Sequence, residues 1–277
     1  MTLALDRQPA VESPSPAPKR KSAARFVKPV VFPVVGVAVM LLAWHLVIKV
    51  FDVQPYVAPS PGEVWTAMQE NKDLLLQNLW PTTIEAVVGF VVGNVFAIVL
   101  AIVFVHSRTT QQALFPLAVV LKTLPIVAIA PVLVLMLGNG YTPKIIIAAL
   151  ITFFPTLVNV TRGLNAVDNQ QLELFRILSA NRVQVFTKLR VYATAPYLFS
   201  ALKIAAPSAV IGAIIAEWIG SEEGLGALIV QATYNFRTPL LYATMVVASL
   251  LAILLVVVIE VAERVLVRWP SDGSDVG

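Results

Sequence analysis

Six long apolar segments constrain this chain more than any other feature. They lie near residues 29–51, 83–105, 113–137, 144–161, 196–219 and 239–267. About 20 consecutive apolar residues cross the hydrocarbon core of a bilayer as a helix, and five of the segments reach that length. The fourth is shorter, and Pro155 interrupts it. A backbone amide in lipid has no water to bond, so each segment is expected to be a helix. The runs lack the apolar–polar alternation that marks the strands of a membrane barrel. With 58% hydrophobic and 13% charged residues, the chain carries more apolar surface than a water-soluble domain buries. The predicted fold is all-α membrane, with six transmembrane helices within residues 29–268. A basic, Pro-, Ser- and Ala-rich tail over 1–28, expected to be disordered, precedes it, and a short tail over 269–277 follows.

The flanking cations orient these helices. With the N-terminus in the cytoplasm, the inner segments hold Arg7, Lys19, Arg20, Lys21, Arg25 and Lys28, then Arg108, the group Arg162, Arg176, Arg182, Lys188 and Arg190, and finally Arg264 and Arg268. The outer segments hold only Lys72, Lys144 and Arg237, with Lys49 near an outer end. Both termini are therefore expected to be cytoplasmic. The chain has no cysteine, and its two histidines, His45 and His106, lie far apart. Thiolate chemistry is excluded, and neither a metal site nor a catalytic pair is expected. Gly138 to Lys144 lacks the spacing of a phosphate-binding loop, so any ATP hydrolysis belongs to another chain.

Two connections carry structure. Ser60-Pro61-Gly62-Glu63 has capping-box spacing with Pro at the first helical position, which predicts a short helix reaching about Asn71. The long loop between the fourth and fifth segments starts with a capping residue, Asp168. Leu174, Ile177 and Leu178 fall on one helical arc, with Glu173, Arg176 and Ser179 roughly opposite. The spacing predicts a short amphipathic helix at the cytoplasmic surface with one face free.

This loop resembles the cytoplasmic signature of ABC importer permeases: Glu-Ala-Ala, three residues, Gly, nine residues, then Ile-x-Leu-Pro. Glu173 falls on the Glu, Leu174 and Phe175 on the two Ala positions, and Ser179 on the Gly. Leu189, Arg190, Val191 and Tyr192 fall on the last four. Lys122-Thr123-Leu124-Pro125, Ala130-Pro131, Gly138-Asn139-Gly140 and Phe154-Pro155 are similar to the third and fourth spans of that family. Ala216-Glu217-Trp218-Ile219-Gly220 and Gly224-Leu225-Gly226 are similar to its last outer loop. The resemblance covers about residues 30–268 and points to the branch serving nitrate, sulfonate, taurine and the pyrimidine precursor of thiamine. Glu85 stands where that branch often has a basic residue, and no role is assigned to it.

The resemblance implies a type I ABC importer permease fold in a bacterial-type inner (plasma) membrane. The chain would form the path for a small solute delivered by an external substrate-binding protein. It would pair with a second permease copy, giving a homodimer, and with two copies of an ABC ATPase subunit. It would bind no cofactor itself, ATP being held by the ATPase, and it would be no enzyme. Glu173, Leu174, Phe175, Arg176, Ser179, Ala180 and Asn181 would form the ATPase-coupling loop. Glu217, Gly224 and Gly226 would form an outer gate loop. Lys122, Pro125, Pro155 and Asn159 are candidates for the translocation path, since charges and helix breaks within spans mark pathways. Lys122 is placed midway along the third span, and Lys203 is read as bonding between helices or snorkelling to the surface. Pro116, Pro125, Pro131, Pro155 and Pro207 are expected to kink their spans. Gly212, with Ala205, Ala206, Ser208, Ala209 and Ala213, makes a small-residue surface suited to the two-fold axis of the dimer or to the pore. The competing reading is a secondary transporter driven by an ion gradient, which requires coupling charges at mid-membrane and an internal repeat; no convincing repeat is visible.

Overall fold

The computed structural model describes residues 24–267. The expected tail over 269–277 and the part of the expected 1–28 tail up to residue 23 lie outside the described residues. Ten helices follow one another among those described: α1 (Ala24–Val50), α2 (Pro61–Glu70), α3 (Lys72–His106), α4 (Arg108–Thr123), α5 (Ile126–Leu137), α6 (Tyr141–Asn165), α7 (Asn169–Ile177), α8 (Arg182–Glu217), α9 (Leu225–Tyr234) and α10 (Thr238–Leu266). All six apolar segments are helical. Helix α1 starts inside the expected basic tail and makes a unit of its own with the residues before Asp52. The remaining helices form a second unit.

Four helices, α3, α6, α8 and α10, are each long and apolar enough to cross a membrane. The third apolar segment is not one kinked helix. It breaks into α4 and α5, which meet at 96°, the geometry of a broken span or a re-entrant loop. The cause is local. Leu124 precedes a proline and takes extended angles (φ −66°, ψ 129°), and Pro125 has no N–H to continue α4. Pro125 then caps α5. The other four prolines expected to kink their spans sit inside continuous helices. Lys122, expected at mid-span, therefore stands in the last turn of α4.

Helix α6 is the centre of the second unit, packed between α3 and α8. Small residues let the three backbones approach. A Cβ on Gly93 of α3 would meet Thr152 Oγ1 and the carbonyl of Ala149 in hard overlap, and Ala149 Cα at 2.9 Å. One turn earlier, a Cβ on Gly89 would lie 2.9 Å from the carbonyl of Ile145. From the other side, a Cβ on Gly212 of α8 would lie 3.0 Å from Ala148 Cα. Gly89 and Gly93 have the four-residue spacing that brings helices together in lipid. The small-residue surface of α8 is thus used within the chain. Ala205, Ala206, Ala209, Gly212 and Ala213 are buried and Ser208 is half-buried, which corrects the expectation that this stripe meets a dimer axis or a pore.

Several polar side chains inside the bundle are paired between helices. Thr156 Oγ1 donates to Asn94 Oδ1 at 2.5 Å between α6 and α3. Lys203 pairs with Glu263 of α10, the contact between helices that was one of its two expected roles. The short helix α2 has its full capping box: Glu63 N–H donates to Ser60 Oγ at 3.3 Å, and Ser60 N–H to Glu63 Oε2 at 2.7 Å.

Candidate functional site

The residues singled out in the sequence fall at the two ends of the α6–α8 pair and at the break between α4 and α5. At one end, α7 follows α6 through a three-residue link. Asp168 caps it, accepting from Gln170 N–H at 3.3 Å. Its C-terminus is closed by two bonds: Ala180 N–H to the carbonyl of Phe175 and Ser179 N–H to that of Arg176, both 2.9 Å. This is the Schellman pattern, and its reversing residue adopts left-handed angles. Ser179 has φ +53°, the conformation that glycine takes without cost. Asn181 at once caps α8, exchanging two 2.9 Å bonds with Gln184.

The reversal at Ser179 yields a test. Ser179→Gly should stabilise the chain by about 0.5 kcal/mol, the left-handed penalty being partly offset by glycine's extra freedom when unfolded. Ser179→Val should cost about 1–2 kcal/mol. Melting of the detergent-purified variants checks the order.

Leu172 and Phe175 hold α7 to the chain and are half-buried, whereas Leu174, Ile177 and Leu178 are exposed, Ile177 to 80%. Glu173 and Arg176 are exposed as well. Past α7, the start of α8 widens into a π turn over Phe186–Arg190, and the Phe186 ring rests against His106 at the end of α3.

At the break between α4 and α5, Lys122 is exposed, with its Nζ 4.7 Å from the centre of the Phe154 ring on α6. This cation–π contact brings Lys122 to the residue before Pro155. Asn159, one turn on, is half-buried and donates to the carbonyl of Pro155 at 2.8 Å.

The other end of α8 lies 35 residues from Arg182, about 50 Å along the helix. There Glu217 is buried (1% exposed) with both oxygens bonded. Oε1 accepts from Thr82 Oγ1 at 2.6 Å, and Oε2 from Gly226 N–H at 2.5 Å. The Thr82 oxygen also accepts from Leu225 N–H at 2.8 Å. Gly224 N–H donates to Asn78 Oδ1 at 2.9 Å. The carboxylate thus sits at the N-terminus of α9, where free amides and the helix dipole favour an anion. Both neighbouring glycines are required. Gly224 has φ +114°, and a Cβ on it would overlap the Glu217 carboxylate. A Cβ on Gly226 would lie 2.8 Å from Glu217 Oε2.

Sequence reasoning missed two residues beside Glu217. Glu85 of α3 is fully buried, and Lys144 in the first turn of α6 is 6% exposed. Lys144 Nζ lies 3.0 Å from Glu85 Oε1 and donates to Ser221 Oγ at 2.7 Å. The Glu217 carboxyl is the other polar neighbour of Glu85, so among the described residues the Lys144 ammonium is the one cation set against two buried acidic groups. The signal was present as a carboxylate inside an apolar run, which is costly without a partner.

The family model described as "Binding-protein-dependent transport system inner membrane component" matches residues 93–271, more than half of the chain. The chain belongs to this family. It is an ABC importer permease. The formylaminopyrimidine transport permease protein ThiX of Halalkalibacterium halodurans is 32% identical over 231 residues, covering 83% of the permease described here and 92% of the relative. The riboflavin transport system permease protein RibX of Chloroflexus aurantiacus is 32% identical over 259 residues, covering 92% and 96%. A chain of the MetNI methionine ABC transporter, solved in inward-facing conformations, has the same fold. The TM-score is 0.60 at 18% identity, covering 72% of the permease and 97% of that chain.

Proposed function

We propose that two copies of this permease form the translocation path of an importer driven by ATP hydrolysis on two separate ABC ATPase subunits. Each ATPase docks on α7 and the turn that follows it. Glu173, Leu174, Phe175, Arg176, Ser179, Ala180 and Asn181 form the coupling loop. An external binding protein delivers the solute at the far end, where Glu217, Gly224 and Gly226 fix the gate loop. The termini face the cytoplasm. The break at Pro125 and the α6 segment around Pro155 and Asn159 line the path, with Lys122 over Phe154 at its wall. The observation that carries this reading is the apolar face of α7, whose ends are fully capped while its outward side chains have nothing to pack on within the described residues. An exposed apolar surface on a rigid, fully specified helix suits a docking partner.

The solute is a planar nitrogen heterocycle, of the kind named for the two relatives above: a formylaminopyrimidine or a flavin. The test is purification of the tagged chain from its host, identification of what accompanies it, and uptake assays after reconstitution. An ABC ATPase should co-purify and should be lost with Glu173→Arg. Uptake should require ATP, and an aminopyrimidine or riboflavin should be carried in preference to an aliphatic sulfonate, taurine or nitrate. Uptake under an ion gradient without ATP would overturn the reading.

A further inference from the structure

We infer that Lys144 is the latch of the loop between α8 and α9, a positioning residue that holds residues 218–224 against the end of the bundle and releases them during transport. The two carboxylates at this end are held unequally. Glu217 has both oxygens bonded to Thr82 and Gly226 and is boxed in by glycines, so it is a fixed joint. Glu85 is held by the Lys144 ammonium and, among the described residues, otherwise faces only the neighbouring Glu217 carboxyl. Replacing a buried ion pair by apolar side chains generally loses no stability, so such a pair is better explained by switching than by strength.

Lys144 is placed to switch. Its ammonium joins three elements: α6, which carries it, α3 through Glu85, and the loop through Ser221. Ser221 Oγ in turn donates to the carbonyl of Glu223 at 2.6 Å, which fixes the loop's shape. The remaining tie from the start of α6 to this loop is a single hydrogen bond, donated by Asn139 Nδ2 to the carbonyl of Gly220. A cavity of about 190 Å³ opens beside the ammonium, and Glu222 and Glu223 line it. Those carboxylates give Lys144 a second set of partners in water once it leaves Glu85. The latch also lies on the element that leads to α7. Lys144 and Asn165 are 21 residues apart on one helix, about 32 Å. A shift of α6 driven from the α7 end therefore reaches the ion pair directly, and a pair with two sets of partners is the bistable element that coupling requires.

The chain has no natural cysteine, so single reporters can be placed in the full-length protein. Leu225, next to the loop, is fully buried. In liposomes, Leu225→Cys should react slowly with a membrane-impermeant maleimide. Adding Lys144→Met should speed labelling about tenfold or more, as expected for a local opening. Exchanging the charges, Glu85→Lys with Lys144→Glu, should restore protection, which a purely space-filling role would not. Unchanged labelling with Lys144→Met would overturn the latch. Should that substitution also expose Leu157→Cys, a reporter at the bundle centre, the decision passes to Glu85→Gln, which keeps the shape and removes the charge. Faster labelling at position 225 alone supports the latch, and unchanged labelling overturns it. In the assembled transporter, Lys144→Met should also raise ATP hydrolysis without binding protein. This second readout rests on the ATP-driven reading, which fails separately if the unmodified complex shows no ATP-dependent uptake.

Discussion

Gly93→Leu should destabilise the fold strongly. The contact between α3 and α6 is so close at this point that even a methyl group overlaps the carbonyl of Ala149 and lies 2.9 Å from Ala149 Cα. These are backbone atoms of a continuous helix and cannot rotate away. Moving α6 as a whole is equally blocked, because Gly212 of α8 brings its own backbone within 3.0 Å of Ala148 Cα, counted from the Cβ it lacks. A helix held on both faces has no direction in which to yield. Overpacking of this kind costs about 3 kcal/mol or more. For a domain of this size that is a fall of roughly 10 °C in Tm. Gly62→Ala in the first turn of α2 is the control, since the added Cβ would meet nothing nearer than Ser60 Oγ at 3.9 Å. It should stay within about 0.5 kcal/mol of the parent. Thermal unfolding in detergent, followed by tryptophan fluorescence and by size-exclusion profile, distinguishes the two. A Gly93→Leu protein that melts like the parent would mean that α3 and α6 are further apart than described.

The elements that are determined locally were legible in the sequence. The capping box at Ser60 and Glu63, the start of α7 at Asp168 and the turn around Ser179 each depend on residues within one helical turn of one another. Their spacing along the chain therefore states their geometry. The apolar segments were legible for a related reason, since the bilayer fixes both length and helical state. What depends on which helices become neighbours was not legible. A string of Ala and Gly on α8 says that some backbone comes close, but not whether it belongs to the same chain. Here it is α6. A lone carboxylate at Glu85 signals a cost without naming the cation, and Lys144 is 59 positions away in the sequence. For Lys203 the sequence left bonding between helices and snorkelling both open, because its partner, Glu263, stands on a helix whose place beside α8 no pattern announces. The break at Pro125 was visible as a proline. Its size was not, because four of the other prolines in these segments stay inside continuous helices.

Leu174→Asp combined with Ile177→Asp should leave the permease folded and remove its ATPase. The two side chains are 53% and 80% exposed, so their replacement takes little packing from the chain itself. Stability should change by no more than about 0.5 kcal/mol. At an interface the same positions behave differently. Apolar anchors that become fully buried on docking commonly cost about 2 kcal/mol each when lost, and burying a new carboxylate without a partner adds to that. The expected result is a weakening of the complex by at least about a hundredfold. Phe175→Asp separates the two effects. Phe175 is half-buried and fixes α7 to its own chain, so this substitution should lower Tm as well as binding. Co-purification of the ATPase with each variant, together with Tm of the isolated permease, reads both quantities from one preparation. If the double aspartate variant kept its ATPase, the free face of α7 would have to serve another contact, and the docking surface would move to the exposed start of α8 around Val183. If it lost the ATPase but also melted early, Leu174 and Ile177 would be packing against residues outside 24–267. Only normal melting with loss of the ATPase fits a helix whose ends are specified by the chain and whose face is specified for a partner.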